Sequence, residues 1–126
     1  MIPLTIQDLE HSDETATQAK NDYISLLLPH RIAQATANNL KSNEKNILAA
    51  IQSKLSGSVA AREIEARASD AFCQYREGME AAVLKAAKLD AELKASEETM
   101  KSERDKRDSV RSMLAFQRES VKRGIF

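Results

Sequence analysis

From Phe72 to Val121 the chain repeats a mostly apolar series at alternating intervals of three and four, polar at three of the four positions from Ser96 to Arg107, with no proline to interrupt it. The positions are Phe72, Tyr75, Met79, Ala82, Ala86, Leu89, Leu93, Ser96, Met100, Glu103, Arg107, Val110, Leu114, Gln117 and Val121. Such spacing puts all of them on one stripe of a helix and is the seam of a coiled coil. A lone helix carrying an apolar stripe is unstable in water, so the seam demands a partner. Composition points the same way. Three Gly and two Pro leave little material for tight turns, and an all-β fold is excluded. Of the 53 apolar or aromatic residues 19 are alanine, the best helix former and a poor core filler, so the interface is expected to be narrow and long.

The expected fold is all-α: an elongated antiparallel helical hairpin or coiled coil, one long C-terminal helix over about 59–123 packing against shorter N-terminal helices. The whole chain, 1–126, reads as a single helical domain. A first helix is expected over 8–28, with Leu9, Ser12, Ala16, Ala19, Tyr23 and Leu26 on one face. Thr5-Ile6-Gln7-Asp8 is an approximate capping box ahead of it, with Asp where Glu or Gln is usual. Pro29 predicts a bend or short break. A helix or broken helix over 29–55 follows, anchored by Ile32, Ala35, Leu40, Ile47, Leu48, Ile51 and Leu55, and weakened at Asn38-Asn39-Leu40-Lys41-Ser42-Asn43. Residues 56–58 form the turn, where Gly57 suits a left-handed conformation and Ser58 caps the next helix. The long helix contains Gly78, a candidate hinge or close approach, and ends before an apolar tail over 124–126 that carries Ile125 and Phe126.

The cheapest partner for the seam is the chain's own first half, folded back antiparallel. Residues 1–28 hold five acids and one lysine, a net of −4, whereas residues 104–126 hold seven Lys or Arg against three acids, a net of +4. An antiparallel hairpin sets these two ends side by side, and flanking ion pairs help fix orientation. The residues expected to bind a partner through the seam are Phe72, Tyr75, Met79, Leu89, Leu93, Met100, Val110, Leu114 and Val121. A homo- or hetero-oligomer is the expectation, because alanine buries little area per position.

The formal charge is zero, so no global field draws the molecule to nucleic acid or anionic lipid. Locally, Arg104, Arg107, Arg111, Arg118 and Lys122 form a basic stripe beside the seam, suited to phosphate or to an acidic partner. Pairing of that stripe with the acidic N-terminal segment is the favoured reading, with Asp105, Asp108 and Glu119 interleaved and Phe116 the one aromatic for base stacking. The apolar tail, Ile125 and Phe126, is expected to dock on the bundle rather than in a partner's groove.

No chemistry is signalled. His11 and His30 lie far apart without Cys or His at ligand spacing, so no metal is expected and both are assigned surface or helix-end roles. Cys73, the single cysteine, cannot form an intramolecular disulfide and is expected as a buried thiol beside Phe72. Neighbouring glutamates such as Glu63 with Glu65, or Glu97 with Glu98, point to different sides of a helix. No glycine-rich phosphate loop, nucleophile elbow or zinc-protease motif is present. The chain is therefore expected to be no enzyme and to take no cofactor. No apolar run approaches the roughly 20 residues that span a bilayer, and the N-terminus lacks a basic leader, so a cytoplasmic location is expected, with export independent of a signal peptide left open.

The function these features imply is a non-enzymatic helical interaction protein, an adaptor, chaperone or assembly subunit acting through coiled-coil faces. The alternative is a nucleic-acid-associated protein using the basic stripe. In outline the chain resembles the small helical-hairpin chaperones and stalk proteins of bacterial export machines or phage assembly, a likeness of shape carried by no specific motif.

Overall fold

The computed structural model describes residues 3–124 and contains three helices and, among the described residues, no strand: α1 (Ile6–Gln52), α2 (Val59–Ala68) and α3 (Asp70–Lys122). The two long helices pack against each other antiparallel, as a helical hairpin. The expected tail residues Ile125 and Phe126 lie outside the described residues.

Helix α1 starts on the capping box the sequence suggests. The backbone N–H of Thr5 donates to Asp8 Oδ2 at 2.7 Å, and the Asp8 N–H donates back to Thr5 Oγ1 at 3.3 Å. Aspartate thus does the work of the usual glutamate. The expected break at Pro29 is absent, because α1 runs through it. Proline removes one donor, which leaves the Ser25 carbonyl without its helical partner. Both residues are exposed, so solvent can serve that carbonyl and the helix continues. The asparagine-rich stretch after it is helical too.

Continuity through Pro29 changes which residues face inward. A break resets the helical phase, and Ile32 and Ala35 were expected as anchors on that basis; both are exposed. The phase of the first segment simply carries on, and His30, Ala33, Ala37, Leu40, Glu44, Ile47, Leu48, Ile51 and Gln52 are the buried or half-buried positions.

Helix α1 ends at Gln52, before the expected boundary, and Gly57 takes a positive φ of 111° within the connector. Ser58 then caps α2, its side chain accepting from the Ala61 N–H at 3.2 Å. The single helix expected over 59–123 is interrupted at Ser69, whose backbone is extended at φ −69° and ψ 149°. Ser69 closes one helix and opens the next: its N–H and hydroxyl both donate to the Ala66 carbonyl, and its Oγ accepts from the Phe72 N–H at 3.3 Å. Asp70 follows in the first turn of α3, where a carboxylate favours the helix dipole. Gly78 does not mark a close approach. It sits in continuous helix with nothing within 4 Å of where a Cβ would stand.

The chain divides into two compact units, Leu28–Asp90 and the remainder. In the Leu28–Asp90 unit, Ala33 and Ala37 of α1 form a buried cluster with Ala86 of α3, and Ala82, Val83 and Leu89 pack against it. Phe72, 1% exposed, and fully buried Ala66 sit at the α2–α3 joint, and the rings of Phe72 and Tyr75 stack with centroids 6.5 Å apart. The Tyr75 hydroxyl donates to the Leu40 carbonyl. In the other unit the buried residues, among those described, are Ala16, Ala19, Leu114 and Ser120. Polar contacts carry much of its pairing. The Leu4 N–H donates to Gln117 Oε1 at 2.8 Å, and Gln117 Nε2 donates to the Leu4 carbonyl at 3.0 Å.

Candidate interaction faces

A helical hairpin offers two kinds of surface, the seam between its helices and the faces turned away from it. Of the expected seam residues, Phe72, Met79 and Leu114 are buried, and Tyr75, Leu89, Leu93, Met100 and Val110 are half-buried. Their spacing turns them towards the chain's own α1, and around Leu89 the contact is made by Ala33 and Ala37. Val121 departs from the pattern. It is 62% exposed, and Ser120 is buried in its place. Val121 lies along an open groove that Leu4, Thr5 and Ile6 share with Leu114 and Gln117.

The basic stripe is divided between pairing and exposure. Arg111 donates to Asp13 Oδ1 at 3.2 Å, and Arg107 Nε lies 3.9 Å from the same oxygen. Two of the five cations are thereby held by the acidic end of α1, and Arg107 also lies 3.4 Å from Asp108. Arg104, Arg118 and Lys122 are exposed.

The groups considered for chemistry are scattered. His11 is exposed, whereas His30 occupies a seam position, half-buried, with its Nε2 3.1 Å from Asp90 Oδ1. That corrects the surface role expected for it, and follows from α1 keeping its phase through Pro29. Cys73 is exposed rather than buried: one residue past Phe72, it points a quarter turn away from the seam. Among the described residues no group of three His, Cys, Asp or Glu could hold a metal ion, and no helix is long and apolar enough to cross a membrane.

One surface was not anticipated. Leu28 and Ile32 stand one turn apart on the outer side of α1, 64% and 57% exposed. Their stretch of the chain is almost without charge: from Leu28 to Leu40 the only ionisable residues are His30 and Arg31. Helix α3, by contrast, carries 22 Asp, Glu, Lys or Arg among its 53 residues. Single exposed apolar side chains are ordinary on a folded protein, but a stretch with one formal charge that exposes large ones a turn apart is less so. Beside Ile32 a groove of about 260 Å³ runs between the helices of the Leu28–Asp90 unit, lined by Pro29, Ile32, Ala33 and Thr36 of α1 and by Ala82, Lys85 and Leu89 of α3. Alanines at 33 and 82 leave that hollow where larger side chains would fill it. The missing charges from Tyr23 to Leu40 were legible in the sequence; assigning Ile32 to the seam hid their meaning.

No protein family, curated protein or solved structure matches the chain.

Proposed function

We propose that the chain is a non-enzymatic helical interaction protein, an adaptor, chaperone or assembly subunit, that works by presenting the outer face of α1 to a protein partner. The exposed pair Leu28 and Ile32 in a stretch with one formal charge carries this reading. Proteins keep outer helix faces charged because ions hydrate well and deter non-specific contact; α3 follows that rule, and α1 in this stretch does not. The groove beside it is shallow and mostly aliphatic, with Thr36 and Lys85 as its polar lining, which favours a protein surface as the thing recognised.

The reading is tested by recovering the tagged chain from its native cells with and without Leu28→Glu and Ile32→Glu. A protein retained at near-equal amounts by the parent and lost from the double variant is the expected result. Equal recovery by both would refute the assignment of function to this face. Circular dichroism of the purified variant guards against an unfolding artefact, and full helicity is expected because both side chains are exposed in the parent.

A further inference from the structure

We infer that the face bearing Leu28 and Ile32 binds a second copy of this chain, in a two-fold pairing that makes four helices of two hairpins. The inference rests on the interaction role proposed above and names its partner.

Three observations bear on the occupant. The first is area. The chain exposes 9235 Å². A folded monomer of its 14.0 kDa is expected to expose about 6,700 Å², leaving an excess near 2,500 Å². An interface of ordinary size removes about 800 Å² from each partner and fits well within that excess. The deficit is one of burial: six of the nine buried apolar residues among those described are alanine, so each hairpin encloses little apolar surface by itself.

The second is complementarity. A two-fold contact uses the same patch twice, so the patch must carry both a projection and a recess. This one does. Leu28 and Ile32 project, and the groove at Ala33, Thr36, Ala82 and Leu89 lies alongside on the same unit. A projecting aliphatic side chain from one copy can occupy the groove of the other, and the symmetry supplies the reciprocal contact.

The third is charge. Pairing a surface with itself brings like charges together, which a charged face resists. Here the stretch from Tyr23 to Leu40 brings only Arg31 as a formal charge. Lys85, at the groove, can lay its aliphatic stem along the wall and keep its ammonium in water. An acidic partner would find only Arg31 and Lys85 here, and a basic one no carboxylate from Tyr23 to Leu40.

Light scattering on the full chain over a wide concentration range tests this. The parent is expected to reach twice 14.0 kDa. Leu28→Glu with Ile32→Glu removes the apolar projections and sets four carboxylates in one contact, and is expected to weaken the dimer by about a hundredfold or more. Leu84→Glu, on the outer side of α3 in the same unit and 72% exposed in the parent, is expected to leave the dimer unchanged. A parent that is monomeric at every concentration overturns the self-pairing. So does a dimer that survives the double variant, or one that Leu84→Glu disrupts equally. A monomeric parent that still captures a different protein through Leu28 and Ile32 overturns the second copy alone and leaves the interaction role standing; a monomeric parent without capture overturns both.

Discussion

The two units pair the same two helices by different means. In Leu28–Asp90 the contact is made by small and aromatic groups: Ala33 and Ala37 against Ala86, and Phe72 with Tyr75 at the joint with α2. In the unit built from the chain's two ends, seam positions are polar at Ser12, Ser96, Glu103, Arg107 and Gln117, and the pairing runs through the Leu4–Gln117 hydrogen bonds and the Asp13–Arg111 ion pair. Apolar burial is strong and undirected, so alanines and a phenylalanine hold helices together without specifying which way they run. Hydrogen bonds and ion pairs contribute about 1 kcal/mol or less each, yet they are satisfied at one register only. One unit supplies cohesion and the other supplies alignment.

Substitutions can break that division, and the largest effect is expected at Phe72. Phe72→Ala removes the largest fully buried side chain and should cost about 3–5 kcal/mol in urea unfolding. Hydrogen exchange should place the loss in α2 and the first turns of α3, with the amides near Leu114 less affected. Loss spread evenly over both units would show that they do not differ in cohesion. Next comes Ala37→Leu. Ala37 is 2% exposed against Ala86, and three extra carbons at that contact should destabilise by about 1–3 kcal/mol, although leucine is larger and more apolar. A stabilised variant would mean that the alanine seam has slack.

A smaller effect is expected from Gln117. Its amide serves both the N–H and the carbonyl of Leu4, and Gln117→Ala should cost about 1 kcal/mol because Leu4 is half-buried and water recovers part of the loss. Gln117→Glu is the sharper probe. A carboxylate still accepts from the Leu4 N–H and cannot donate to its carbonyl, so above the carboxylate range it should fall between parent and alanine variant in stability. If glutamate matches glutamine, the second bond contributes nothing.

The seam was legible in the sequence over nearly its whole length because a three-four repeat keeps one stripe turned inward where paired helices wind around each other, and Phe72, Met79 and Leu114 are all buried. What the sequence obscured were the points where phase is set. Pro29 looked like a break because its cost is local and visible, whereas its remedy, an exposed Ser25 carbonyl open to water, depends on which side of the helix packs. Reading a break there moved Ile32 and Ala35 into the core on paper and concealed the exposed face. Ser69 was missed for the opposite reason. Neither Gly nor Pro marks it, and the cue was a Ser-Asp pair that caps the next helix without the Glu or Gln of a capping box. The charge asymmetry between the chain's ends foretold the Asp13–Arg111 contact, since both groups lie near the termini that an antiparallel hairpin brings together.

That contact is where the smallest effect on stability and the clearest statement about alignment are expected. Asp13 is 40% exposed and Arg111 53%, so screening keeps the pair weak, and Asp13→Asn should cost no more than about 0.5 kcal/mol at low salt. Raising the ionic strength to about 1 M, where the screening length is about 3 Å, should bring parent and variant together. The same substitution also releases Arg107 and Arg111 from their shared acid and leaves the stripe from Arg104 to Lys122 more strongly positive. If Asp13 acts only in alignment, neither parent nor variant should bind DNA or RNA in a salt-dependent way. Binding that appears only in the variant would make Asp13 the group that masks an anion site. Binding by the parent, lost on reversing Arg104, Arg107 and Arg111 with helicity unchanged, would move the function from the outer face of α1 to the end of α3.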